Sequence, residues 1–372
     1  MKILQVITRG DTFYGAQSHV LDLCRLLRDQ GQEVTAIVGS EGPLTQRMKV
    51  SGVPYEVLPS MRRAIRPLED LRCVGELHSR IAHHRADLVA SHSSKAGILT
   101  RMASDRAGVA NVFTAHGWSF EDNVPWWKRR MYLSIERRTP LADHFIAVSD
   151  LGKSLALRHR LMNEDRISTV HYGVADVGGK RQRRLPDIFT MTMVAGLRPQ
   201  KDHATLIRAL TRLRDRPWRL NLLGDGPLRG QISEQLRAAG LLDRVHMPGA
   251  VDDVAGYLDR THVKILTTHY EGLPISILEC LSFGMPIIAS DVSGVREEVI
   301  DGYNGILVPH EDDAAVAEAI TRLMDRPAAA DAMGRCGRQL FEDRFGWNTM
   351  RDKTLEVYRR AADHRRQHRV AA

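Results

Sequence analysis

The strongest constraint this chain places on its own fold is a rhythm: strand-length apolar runs alternate with longer amphipathic stretches, and the series is played twice. In the first series, strand-like runs fall at 2–8, Glu33–Val38, Tyr55–Leu58, Leu88–His92, Val112–Ala115, Phe145–Ser149 and Ile167–His171. Helix-like runs lie between them, among them Val20–Asp29, Leu68–His84, Lys95–Ala107, Trp126–Thr139 and Asp150–Arg160. Such alternation implies a mostly parallel sheet with helices on both faces. A Gly- and Arg-rich stretch, Tyr172–Pro186, has no apolar period and reads as a linker over 173–187. The second series predicts strands at Phe189–Ala195, Arg219–Leu223, Val245–Met247, Val263–Thr267, Pro286–Ala289 and Ile306–Val308. Its predicted helices are Asp202–Leu213, Pro227–Ala239, Val254–Arg260, Pro274–Phe283 and Val295–Ile300, with three more from Asp312, Ala328 and Asn348 onward. The expected fold class is α/β, with two Rossmann-like doubly wound domains at 1–172 and 188–346. Ligands bind beyond the carboxyl ends of the strands in such sheets. Two sheets facing each other would therefore place a substrate in a central cleft.

Bulk properties narrow the function. At 372 residues the chain can fill two cores, and 43% apolar with 26% charged residues is ordinary for a soluble globular protein. No apolar run approaches the ~20 residues of a membrane span. Met1-Lys-Ile-Leu enters a strand directly, without the shape of a signal peptide. Cys24, Cys73, Cys280 and Cys336 are scattered, with no CxxC spacing. They read as reduced thiols of a cytoplasmic protein, not as a disulfide frame or a zinc site. The net charge is +8, and residues 1–172 carry 24 Lys and Arg against 18 Asp and Glu. A basic first half suits an anionic partner such as a phosphorylated substrate or an acidic lipid surface. No nucleic-acid-binding motif accompanies the charge, so nucleic acid is not an expected partner. Gly10 and Gly15 lack the spacing of a dinucleotide fingerprint, which argues against a dehydrogenase.

The residues able to carry chemistry all follow predicted strands. Glu271-Gly-Leu-Pro-Ile-Ser-Ile-Leu-Glu279 comes after the run from Val263 and opens a helix, with Pro274 in its first turn. Gly272 lets the backbone approach a ligand, and amides near Leu273, Ile275 and Ser276 offer an anion site at the positive end of the helix dipole. Gly196-Leu-Arg198-Pro-Gln-Lys201 places a guanidinium and an ammonium on one strand-to-helix turn, where both can face a phosphate. Gly224-Asp-Gly226-Pro, Met247-Pro-Gly-Ala-Val251, Thr114-Ala-His116-Gly and His92-Ser-Ser-Lys95-Ala-Gly97 follow other strands. Asp252-Asp253 reads as a helix cap, and no Asp-x-Asp or His/Asp cluster with ligand spacing follows a strand.

This set, most specifically 271–279 and 196–202, resembles the retaining, sugar-nucleotide-dependent glycosyltransferases of family 4, which have the GT-B fold. The resemblance spans essentially the whole chain and implies a transfer reaction with no metal or other cofactor. It implies that Arg198 and Lys201 neutralise the leaving diphosphate and that Gly224 and Val251 lie beside the nucleotide. Gly272, Leu273 and Pro274 would cradle the donor, with Glu271 near the sugar hydroxyls and Glu279 on the ribose. It places His116 beside the transferred sugar and Gly15 near the donor phosphates, although the family's glycine pair is here Tyr14-Gly15. His19 would be a cap or a core residue. In the family the last helix, here 347–372, packs back toward the N-terminal domain. The segment from His92 is similar to one in members that build capsular and exopolysaccharide repeat units. The expected substrates are thus a nucleotide-diphosphate hexose or N-acetylhexosamine, UDP favoured over GDP, and a glycan acceptor linked to polyprenyl diphosphate. Met61–Arg66 and Trp126–Tyr132 mix apolar and basic residues; they read equally as a peripheral contact with an anionic inner-membrane face or as a solvated basic face with core tryptophans. Two alternatives remain open: a sugar-nucleotide epimerase of GT-B fold, which the Glu-x7-Glu spacing argues against, and a non-enzymatic two-domain anion or nucleotide binder.

Overall fold

The computed structural model describes residues 1–120, 124–178 and 185–370, with the side chains of 368–370 excepted. Part of the predicted linker, 179–184, lies outside the described residues. The chain forms two compact units: Met1–Tyr172 together with the terminal stretch from Asn348, and Gly173–Trp347.

The first unit runs β1 (Lys2–Ile7), α1 (Gly15–Asp29), β2 (Glu33–Val38), α2 (Pro43–Val50), β3 (Tyr55–Val57), α3 (Pro67–His83) and β4 (Leu88–Ser91). It continues with α4 (Ser94–Ala107), β5 (Ala110–Ala115), α5 (Trp126–Arg138), β6 (His144–Ala147), α6 (Asp150–Arg158) and β7 (Ile167–Thr169). Its seven strands are parallel in the order β3-β2-β1-β4-β5-β6-β7. Helix α1 starts five residues before the expected Val20. The reason is local: the Gln17 carboxamide accepts from the Tyr14 amide (3.2 Å) and donates to Thr12 (3.2 Å), closing the first turn over Gly15. Helix α2 was not among the expected elements; Pro43 sets its first turn.

The second unit runs β8 (Phe189–Val194), α7 (His203–Arg212), β9 (Trp218–Leu223), α8 (Arg229–Ala238), β10 (Val245–Gly249), α9 (Val254–Leu258) and β11 (Val263–Leu266). It then adds α10 (Ile275–Ser282), β12 (Ile287–Ser290), β13 (Gly305–Val308), α11 (Asp313–Asp325) and α12 (Pro327–Arg344). Its six parallel strands are ordered β10-β9-β8-β11-β12-β13. Asp202, Asp253 and Asp312 cap α7, α9 and α11 through their carboxylates. The helix expected at Val295–Ile300 is a single 3-10 turn, Val295–Glu297, because Val299 and Ile300 instead lead into a turn stapled by Asn304. Helix α13 (Trp347–Val370) ends the described chain, and from Asn348 it belongs to the first unit. None of the described helices is long and apolar enough to cross a membrane.

Both strand orders reverse once, between β1 and β4 and between β8 and β11. Loops on either side of a reversal leave in opposite directions and open a crevice at the carboxyl ends. The core behind the first crevice is tight. A methyl group on Gly97 would sit 2.6 Å from the Phe113 ring, so only glycine lets α4 approach β5 so closely. One turn later the Arg101 guanidinium, 1% exposed, pairs with Glu136 of α5 (2.6 Å) and lies against Phe113 and Phe145. Glu136→Ala leaves that buried cation without its counter-charge and should cost about 3–5 kcal/mol. Arg101→Met, which removes the charge and keeps the volume, should cost clearly less; urea unfolding of the two variants checks the order.

Candidate functional site

In the second unit the loops on either side of the strand reversal are tied together by charge. The turn after β8 carries Arg198 and Lys201; the loop after β11 carries Thr268–Pro274. The Lys201 ammonium pairs with the Glu271 carboxylate, their side chains 18% and 7% exposed. The same carboxylate accepts from the Thr268 hydroxyl (2.8 Å). Gln200 adds backbone stitches: its carbonyl accepts from the His269 amide (2.9 Å) and its carboxamide donates to the Tyr270 carbonyl (2.7 Å). Two of the expected residues, Lys201 and Glu271, are thus in direct contact. Arg198 is exposed on the turn.

Glycines make the approach possible. At Gly224, φ is +142°, and a Cβ would lie 2.1 Å from the Ala195 carbonyl, so the turn after β9 presses on the turn that carries Arg198. Gly272 and Leu273 precede α10. Pro274 is its N-cap rather than a residue of its first turn, which corrects the expected helix start by one position. The orphan amides of the first turn therefore begin at Ile275 and Ser276. Glu279 lies one turn into α10 and is partly exposed. Val251 follows β10 and lines a pocket of about 570 Å³ with His246, Tyr257 and Arg260.

The first unit places a polar chain at its own reversal. His116, just past β5, has both ring nitrogens engaged: Nε2 with His92 Nδ1 (3.1 Å) and Nδ1 with the Tyr172 hydroxyl (2.5 Å). His92 Nε2 reaches Gln5 Oε1 (2.5 Å), and Gln5 Nε2 donates to the Tyr358 hydroxyl of α13 (3.1 Å). The carboxamide sets the direction of every proton. Gln5 Oε1 only accepts, so His92 carries its proton on Nε2 and accepts at Nδ1. His116 then donates from Nε2 and accepts at Nδ1 from Tyr172. Burial holds His92 and His116 well below the ordinary imidazole range, each helped by neighbouring histidines. Both are neutral rings at pH 7. His19 is a core residue of α1, pushed down to about 4 by burial. His19, His92 and His116 lie close enough to share a metal ion. The hydrogen bonds already made by His92 and His116 argue for a polar chain there instead. Gly15 is the first residue of α1.

Beside this chain a cavity of about 460 Å³ occupies the reversal between β1 and β4. Ile65, Ile98, Leu99 and Ile135 give it apolar walls, and its charged lining is Arg9, Arg63 and Lys95 with Asp70 and Glu136. Lys95 is bonded to Asp70 (2.6 Å) and to the Ala64 carbonyl. Leu68 and Leu71 of α3 and Trp126, Trp127 and Met131 of α5 are exposed, so Trp126 and Trp127 are surface residues and not core.

Two family models match the chain: Glycosyltransferase Family 4 over residues 13–176 and Glycosyl transferases group 1 over 180–340. A UDP-Gal:alpha-D-GlcNAc-diphosphoundecaprenol alpha-1,3-galactosyltransferase of Escherichia coli is 25% identical, over 92% of this chain and 93% of its own length. A D-inositol 3-phosphate glycosyltransferase of Kineococcus radiotolerans is 27% identical, over 96% and 93%. Among solved structures, HepE of Anabaena with UDP and glucose aligns at a TM-score of 0.81 and 20% identity, covering 96% of this chain and 99% of that one.

Two residues of the second unit escaped the sequence reading. Lys264 sits inside an apolar strand and Glu298 in an acidic pair, yet both are 0% exposed. Lys264 Nζ donates to the Val194 carbonyl (3.4 Å), and burial lowers its pKa. Neither carboxyl oxygen of Glu298 has a hydrogen-bond partner; burial, then the charges of Glu271 and Glu297, push it well above the usual carboxylate range. Glu298 is therefore a neutral acid behind the Lys201–Glu271 pair. The unfolded chain ionises this group near about 4.3, while the folded protein keeps its proton to higher pH. The folded state binds more protons, so this group's contribution to stability falls as pH rises from about 4.3. Glu298→Gln mimics the protonated form. Its urea midpoint should gain on the wild type between about pH 5 and pH 8; a constant difference would mean that Glu298 is ionised in the fold.

Proposed function

This chain belongs to the family 4 glycosyltransferases of GT-B fold, and from that premise we propose that it moves a hexose or N-acetylhexosamine, with retention, from a UDP-sugar to a lipid-linked glycan during cell-surface polysaccharide synthesis. The observation that carries this reading is the Lys201–Glu271 pair across the strand reversal, beside the start of α10. An ammonium gives three donors and Glu271 occupies one, which leaves Lys201 able to meet a diphosphate together with Arg198. As the sugar–phosphate bond breaks, negative charge grows on the diphosphate, and preorganised cations and amides favour that moment over the ground state. This arrangement supplies the leaving-group charge balance without a metal. Glu271, already bonded to Lys201 and Thr268, suits positioning of the sugar better than nucleophilic attack. The leaving phosphate would instead deprotonate the incoming hydroxyl on the same face. We assign Gly224, Val251, Gly272, Leu273, Pro274 and Glu279 to the nucleotide sugar, and Gly15 and His116 to the donor phosphates and sugar, on the strength of the resemblance.

The acceptor assignment rests on the first unit's cavity. Its apolar walls suit a prenyl chain and its three cations, against two carboxylates, suit a diphosphate; the E. coli relative is named for such an acceptor and for a UDP-sugar donor. Exposed Trp126 and Trp127 among Lys128, Arg129 and Arg130 suit a headgroup layer of an anionic inner membrane.

Transfer from UDP-hexose to a polyprenyl-diphosphate-linked sugar tests the reaction. Lys201→Ala should lower kcat about 100-fold or more with a small change in donor affinity, as for loss of a transition-state donor. Wild-type transfer should continue in EDTA. An unchanged kcat removes Lys201 from the mechanism, and a loss in EDTA that Mn²⁺ restores contradicts the metal-free account. In vesicle flotation at low salt, the protein should rise with anionic liposomes and Trp126→Ala/Trp127→Ala should rise less. Absence of wild-type protein from the floating fraction removes the membrane assignment.

A further inference from the structure

A second set of ligating side chains, which the transfer reaction does not use, joins the loop after β11, just before Glu271, to the loop after β13. His269 Nδ1 lies 2.7 Å from His310 Nε2 and 3.4 Å from a Glu311 carboxylate oxygen, which is 4.0 Å from His310. Two imidazoles and one carboxylate are a ligand set of tetrahedral zinc, with bonds of about 2.0–2.2 Å. Such bonds put neighbouring donor atoms about 3.3–3.5 Å apart. The three observed separations straddle that spacing, so small side-chain rotations would equalise them. The three side chains are 34%, 43% and 59% exposed, which leaves room for water as a fourth ligand.

The backbone adds an independent sign. Glu311 has φ +61°, a left-handed conformation unusual for a glutamate. Such positions persist where surrounding structure holds them and cluster at ligand sites. Here the conformation falls between His310 and the Asp312 cap of α11 and brings the Glu311 carboxylate within 3.4 Å of His269. Ring chemistry is also compatible. The two imidazoles now share one proton across 2.7 Å; a cation taking its place needs only that each ring carry its proton on the far nitrogen, His269 on Nε2 and His310 on Nδ1. The buried group of His19, His92 and His116 is a poorer seat, because a cation there would break the bonds that orient His92 and His116.

We propose that His269, His310 and Glu311 form a binding site for a zinc-class divalent cation, and that its occupancy ties the loop bearing Glu271 to the loop after β13 and slows turnover. His269 is two residues from Glu271, and the intervening backbone is stitched to Gln200, next to Lys201. Tying His269 to the end of β13 restrains that whole turn. The effect on turnover rests on the transferase reading; the binding does not.

Isothermal titration of the full chain with ZnCl₂, in a buffer that does not chelate, is the direct test. One Zn²⁺ per chain should bind, and His310→Ala or His269→Ala should weaken it by more than about tenfold, the loss that outer-shell partners alone can produce. In the transfer assay, Zn²⁺ should inhibit the wild type and leave His310→Ala at its metal-free rate. No saturable binding, or binding unchanged in both variants, overturns the site. Binding that is lost in His310→Ala while Zn²⁺ leaves wild-type turnover unaltered overturns the restraint. Because calorimetry needs no substrate, failure of the site is distinguishable from failure of the transferase reading.

Discussion

Everything chemical in this protein hangs on the point where a parallel sheet reverses its strand order. Hydrogen-bonded neighbours there send their chains away in opposite directions, so the sheet cannot cover its own carboxyl edge. In the second unit the two flanking loops are joined by the Lys201–Glu271 pair. A pair of this kind gains several kcal/mol of Coulomb attraction at an effective dielectric of about 20, much of it offset by desolvation. Its value lies in geometry. It holds an ammonium over a crevice already edged by helix amides, and the neutral Glu298 behind it adds no competing charge.

The two units treat polarity in opposite ways. The second gathers Lys201, Lys264, Glu271 and Glu298, where burial keeps the proton on Glu298 and lowers the pKa of Lys264. The first aligns neutral groups, a carboxamide, two imidazoles and a phenol, into a chain with one sense of donation. Fixed charges suit the diphosphate proposed for that crevice. Neutral, tautomer-locked rings suit a surface that must be polar without attracting counterions.

Much of this was legible in the sequence. Arg198, Lys201 and Glu271 were readable because they sit in loops directly after apolar runs, where local pattern and position in the sheet coincide. Element ends were less so: Gly15 joins α1 through a side chain two residues away, and Pro274 stops short of α10. Lys264 and Glu298 were invisible for a different reason. Which strand lies between which others is set by long-range order, and that order decides that a lysine within β11 is sealed on both faces. The histidine chain is nonlocal in the same way, since Gln5, His92 and His116 come together only because β1, β4 and β5 are neighbours.

That chain also bears on how the protein is made. Gln5 finds its partner in Tyr358, a residue 353 positions later and fully buried on α13. Strand β1 is made well before α13, so its buried carboxamide and the core around it wait for a helix that lies beyond the whole second unit. The second unit, contiguous from Gly173 to Trp347, can complete its own sheet in the interval. Of the two units, the one begun earlier is thus the one completed later.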